Sequence, residues 1–146
     1  MKDTLTRLRH TRASAFAGAI RILLGLLFLT TGVMKFAVPD LRAAFSGQLT
    51  AAAIPFHSLN MWVVPAVEIG VGVFFLLGFL SRLASLPAIV MMAVATYVHL
   101  VVDDAALFPL QPESPIIPLI AIALCVSVLR VGSGSWSLDF RARPAE

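Results

Sequence analysis

Four long apolar blocks separated by short polar stretches run over about 16–38, 61–80, 83–102 and 115–131. Apolar residues surround each block on all sides instead of forming one stripe. A helix in water cannot sustain that pattern, and a helix in lipid requires it. The first three blocks are close to the roughly 20 residues that cross a bilayer core. The fourth is the shortest, and its start is blurred by Pro109, Pro112, Pro115 and Pro118. Proline fits the first turn of a helix, where its missing N–H has no partner to lose, so Pro118 reads as that first turn. The pattern predicts an all-α integral membrane four-helix bundle, a single membrane domain over 1–146. Between the first two blocks, Asp40 is placed to cap a short helix in which Leu41, Phe45 and Leu49 recur at helical spacing, and Pro55 to end it. That segment reads as an interfacial helix.

Composition strengthens the membrane reading. Of 146 residues, 59% are hydrophobic and 13% charged, against about 45–50% apolar and about 25% charged in soluble domains. A soluble bundle needs polar outer faces, and these blocks have none. The lone cysteine, Cys125, excludes a disulfide framework, an internal CxxC couple and a thiolate zinc site.

The net charge of +3 acquires meaning only when the cations are placed. Lys2, Arg7, Arg9, Arg12, Arg21, Arg82, Arg130, Arg141 and Arg143 fall on one side of the membrane, and only Lys35 and Arg42 on the other, of 11 in all. Positive-inside bias then predicts cytoplasmic N- and C-termini, with the tight turn at 80–83 also cytoplasmic, in a multi-pass protein of the bacterial inner membrane. The basic stretch at 2–12 has the charge of a signal-peptide n-region. The apolar run continues to Lys35 without a small-residue cleavage site, so the first span is expected to stay uncleaved. Basic tails near anionic lipid need no nucleic-acid partner. The expected partners are the lipid bilayer and either another protein or a second copy of the chain.

Ionisable residues inside spans point to function by default. Lys35, Glu68 and His99 each lie about one to two helical turns inside the same end of their spans. An unpaired charge at that depth costs several kcal/mol, so a connected Lys35–Glu68–His99 cluster is expected, with Thr31 and Thr96 one turn below as further lining. Two readings of it stand: an ion-paired register pin, or a polar pocket for a proton-coupled ligand such as a quinone head group. At the opposite end, Asp139 is expected to ion-pair with Arg21 or Arg82 and hold Trp136 in the interfacial belt. Gly18, Gly25 and Gly32 on the first span, and Gly70, Gly72 and Gly78 on the second, are small positions where backbones approach closely. Met34, Met61, Met91, Met92 and His99 include soft copper-ligand types, in a spacing that suits apolar core equally well. A bis-histidine haem would need His57 with His99, since His10 falls on the far side. No metal site is assigned.

Arg21, Gly25, Gly32, Lys35 and Phe36 resemble the R-x3-G-x6-G-x2-K-[FL] pattern of the first span of DoxX-type proteins. Glu68, Gly78 and Arg82 resemble that family's second span. The run Gly132-Ser133-Gly134-Ser135-Trp136-Ser137-Leu138-Asp139 resembles its G-x-G-x-[WY]-S-L-D ending, departing from it at Ser133 and Ser135, where proline and a basic residue are expected. The resemblance implies a four-helix membrane fold. It also implies a connection to the small membrane subunit of archaeal thiosulfate:quinone oxidoreductase.

The chain carries no flavin, haem or iron–sulfur motif, so no intrinsic cofactor is expected and a complete enzyme is not. Two functions follow: a quinone-associated subunit of a membrane oxidoreductase, or a non-enzymatic membrane partner that recruits or assembles a redox or metal-handling protein.

Overall fold

The computed structural model describes residues 11, 13–109, 111–112 and 114–141. Lys2, Arg7, Arg9, His10, Arg12 and Arg143, which entered the charge and ligand readings, lie outside the described residues. Every regular element among the described residues is helical. Helix α1 spans Ala15–Ala37 and starts at Ser14, whose Oγ accepts from the Ala17 N–H at 3.2 Å. It stops because the residue before a proline is pushed out of the helical region. Val38 is accordingly extended, and Pro39 becomes the first residue of α2, Pro39–Ala51. Phe45 and Leu49 form the buried face of α2, as their spacing predicts. Two details differ from expectation. Val38, not Asp40, holds the cap position, leaving Asp40 in the first turn beside the positive end of the helix dipole. The helix also ends well before Pro55, where Ala53 and Phe56 take left-handed backbone.

Helix α3 spans His57–Leu77 and α4 spans Ser81–Val101. Each starts a few residues earlier than its apolar block, because polar residues at the membrane surface still complete a helical turn. A short 3-10 turn, Ala105–Leu107, is capped by Asp104. Helix α5 spans Ile116–Val131 with Pro118 buried in its first turn, and a final turn, α6, covers Leu138–Arg141. Three helices, α1, α3 and α4, are long and apolar enough to cross a membrane, and α5 is a shorter apolar helix packed on α4 and α1.

The described residues form two apolar clusters, a smaller one of Ala52, Val98, Val102 and Phe108 and a larger one between the long helices. Leu24 and Phe28 of α1, Val71 and Phe75 of α3, Ala84 and Ala88 of α4, and Ala121, Cys125 and Val128 of α5 are all buried in it. Large side chains such as Leu23, Val90 and Leu100 remain exposed on the outside, as lipid contact requires. Lipid gives helices no hydrophobic reason to associate, so the seam depends on close contact. A Cβ at Gly72 would fall 2.5 Å from the Leu29 backbone nitrogen, and one at Gly32 would fall 2.8 Å from the Pro65 carbonyl oxygen. Gly25 meets Leu76 equally closely, whereas Gly70 faces open space.

Candidate functional site

Helices α1 and α3 run antiparallel, and a cation near each end of α1 meets α3. Near the α1–α2 corner, the Lys35 ammonium donates to both carboxylate oxygens of Glu68, at 2.6 and 2.7 Å. Glu68 is delivered by α3 directly over Gly32, where the missing side chain leaves room for its Cβ. Its side chain is 4% exposed, and that of Lys35 is 21% exposed. The carboxylate is thus enclosed while the cation keeps a path outward. Phe45 of α2 covers the pair, its ring centre 5.0 Å from Lys35 Nζ. Lysine carries three N–H donors. Two serve Glu68, and the third has no acceptor among the described residues.

His99 does not join this pair. Its Nδ1–H donates to the Ala95 carbonyl at 2.9 Å, and its ring lies 4.3 Å, centre to centre, from Phe108. With Nδ1 protonated, Nε2 is an acceptor; it is buried and unpartnered among the described residues. The expected three-residue cluster is therefore a two-residue pair with a separate histidine. Depth along a span follows from counting residues, but direction around the helix axis does not. Thr31 donates to Leu27 and Phe28 carbonyls, and Thr96 to that of Met92, so both hydroxyls serve their own helices. His57 Nε2 lies 3.1 Å from Ser46 Oγ, tying α2 to the start of α3. No group of three or more potential metal ligands occurs among the described residues.

The opposite end is built mainly from backbone. Arg21 is 0% exposed and donates through Nε to the Ser133 carbonyl at 2.8 Å, and through its two other nitrogens to the carbonyls of Phe75, Leu76 and Trp136. Phe75 and Leu76 lie in the last turn of α3, so the guanidinium caps the Leu76 carbonyl and adds a second donor to that of Phe75, which also accepts from the Gly78 N–H, at the negative end of that helix. Asp139 sits at the start of α4, its Oδ2 accepting from Ser133 Oγ at 2.6 Å and from the Ser81 N–H at 3.5 Å. Its own N–H donates to Gly78 O. The expected direct pairing is thus corrected. Arg21 reaches Asp139 through Ser133, and Arg82 donates instead to the Arg130 carbonyl. Geometry explains the change: the α3–α4 turn exposes carbonyls of one helix and N–H groups of the next, and the two charges separate to serve both.

Trp136 is left-handed at φ 58, its carbonyl held by Arg21, its ring over Gly18 and 65% exposed. Ser81 and Ser133 were not foreseen, because a serine that bridges two distant segments has no local pattern. Phe45 was legible as buried but not as the cover of Lys35.

Apolar spanning helices and charged groups sequestered between them define the class, an integral membrane protein in contact with the lipid bilayer. The comparisons narrow it. Residues 16–100 match the DoxX family, and the chain belongs to that family. It is also similar to an uncharacterised membrane protein of Mycobacterium tuberculosis, 34% identical over 84 residues, which cover 58% of this chain and 50% of the relative. The chain thus spans about half the length of that relative. No solved structure matches it.

Proposed function

We propose that this protein is a small four-span subunit of the bacterial inner membrane, a single domain over 1–146 with both termini cytoplasmic. In this reading the Lys35–Glu68 pair holds a quinone head group for a partner protein that carries the electrons. The observation that supports it is the third Lys35 N–H, which lacks an acceptor among the described residues beside a carboxylate that is otherwise enclosed. A ring carbonyl is a suitable acceptor for that donor, and Phe45 is a suitable aromatic neighbour for the ring. His99, with a ring nitrogen unpartnered among the described residues, is a candidate proton exchanger near the same end. No electron-transfer group is assigned to the chain itself.

Native mass spectrometry of the detergent-extracted protein, with lipids and quinones retained, tests the reading. A bound quinone in the wild type that is lost in Glu68→Gln supports it; a folded wild type without quinone overturns it. Reporter fusions at Gly47 and Pro112 are expected on the periplasmic side, and a C-terminal fusion in the cytoplasm. A second reading, a non-enzymatic partner that recruits a redox or metal-handling protein, draws on the pair's mutual neutralisation. It expects Glu68→Gln to leave partner capture unchanged.

A further inference from the structure

Arg42 occupies the first turns of α2, at the corner where α1 ends, and its guanidinium makes no hydrogen bond or ion pair among the described residues. It is nevertheless held in place. Its Cζ lies 4.5 Å from the centre of the Trp62 ring and 5.8 Å from that of Phe36, and those two rings are 5.7 Å apart. Stacking uses the flat face of a guanidinium and leaves its in-plane N–H donors free. Beside it lies an exposed apolar surface: Val33 and Phe36 on one face of α1, and Leu59, Trp62 and Val63 on one face of α3. In a membrane that surface meets acyl chains, and the end of the spans meets phosphate groups.

We infer that Arg42, oriented by Trp62 and Phe36, binds the phosphate of an anionic phospholipid whose acyl chains lie along the α1–α3 face. The charge is complementary and unspent among the described residues, the planar donor fork suits a phosphodiester, and the apolar surface adjoins the cation. A free phosphate ion offers the same oxygens without the chains, so the test separates the two sources. The inference rests on the membrane location of the chain and not on the ligand of Lys35 and Glu68.

The experiment is native mass spectrometry of the full chain in detergent with added phosphatidylglycerol, phosphatidylcholine or inorganic phosphate. The wild type is expected to retain one phosphatidylglycerol after weaker lipids are stripped, with phosphatidylcholine retained less. Arg42→Gln is expected to lower that occupancy about tenfold. Trp62→Leu keeps the surface apolar and removes the stack, and is expected to lower it about threefold. Arg130→Gln, which neutralises an exposed arginine at the other end of the bundle, is expected to leave it unchanged. Circular dichroism accompanies each variant, and Trp62→Leu carries the test should Arg42→Gln fail to fold. Equal retention by wild type and Arg42→Gln, equal loss in Arg130→Gln, or Arg42-dependent binding of inorganic phosphate alone overturns the assignment.

Discussion

The two cations of α1 are neutralised in opposite ways. Arg21 is wholly enclosed and spends its donors on four backbone carbonyls from two distant segments, reaching a carboxylate only through a serine. Among the described residues Lys35 has a single side-chain partner and retains an unspent donor, and it is partly open. Backbone carbonyls move only when helices move, so the Arg21 end is a fixed joint between α1, the α3–α4 turn and the C-terminal segment. A two-residue ion pair can rearrange by rotating side chains. The same helix therefore carries a structural cation at one end and an adjustable one at the other.

The sharpest way to break this comparison is Arg21→Met. It removes the side-chain donor to the carbonyls of Leu76, Ser133 and Trp136, takes one of two donors from that of Phe75, and removes the positive charge facing Asp139. Removal of a buried charged partner costs about 3–5 kcal/mol. A large fall in unfolding midpoint in detergent is expected, and Arg21→Lys is not expected to restore it, since an ammonium cannot reach the same spread of acceptors. A mild effect would mean that the joint is not fixed.

Gly32→Ala comes next. Its added methyl meets the Pro65 carbonyl and the Glu68 Cβ at under 3 Å, and overpacking of this kind costs about 1–3 kcal/mol. The same displacement carries Glu68 away from Lys35, so bound ligand is expected to fall along with stability.

Ser133→Ala removes the hydroxyl that serves Asp139 and lies 3.0 Å from Ser81 Oγ. A loss of about 1–2 kcal/mol is expected, measured by unfolding. Limited proteolysis of the segment after α5 provides a second readout.

Glu68→Gln is expected to have the smallest effect on stability, about 1 kcal/mol. The freed Lys35 has a long stem and partial exposure with which to reach the membrane surface. A loss equal to that of Arg21→Met would erase the distinction between the two ends.

What was legible in the chain, and what was not, follows from the same contrast. Lipid demands apolar side chains on all sides, so α1, α3 and α4 stand out from composition alone. Phe45 and Leu49 betray α2 by spacing. Lys35 and Glu68 are legible as a pair because a charge at depth needs a counter-charge and these lie at matching depth. His99 satisfied the same criterion and still faces Phe108, since depth says nothing about azimuth. Arg21 near a span end reads as an ion-pair partner for Asp139, and carbonyl partners carry no sequence signature. Its burial became visible only once the chain after α5 was seen folded back over the α3–α4 turn.

The most direct test of the binding role of the Lys35 end uses the double variant Lys35→Met with Glu68→Met, which replaces the ion pair by apolar side chains and strands neither charge. Replacement of a whole buried pair is often neutral or stabilising, so this variant is expected to fold. Its thermal unfolding in detergent is followed with increasing amounts of a short-tailed benzoquinone, beside the wild type. The expected result is a midpoint that rises with ligand in the wild type, as binding to the native state requires, and stays flat in the double variant. An equal rise in both proteins would contradict the assignment of the Lys35–Glu68 pair as the ligand site.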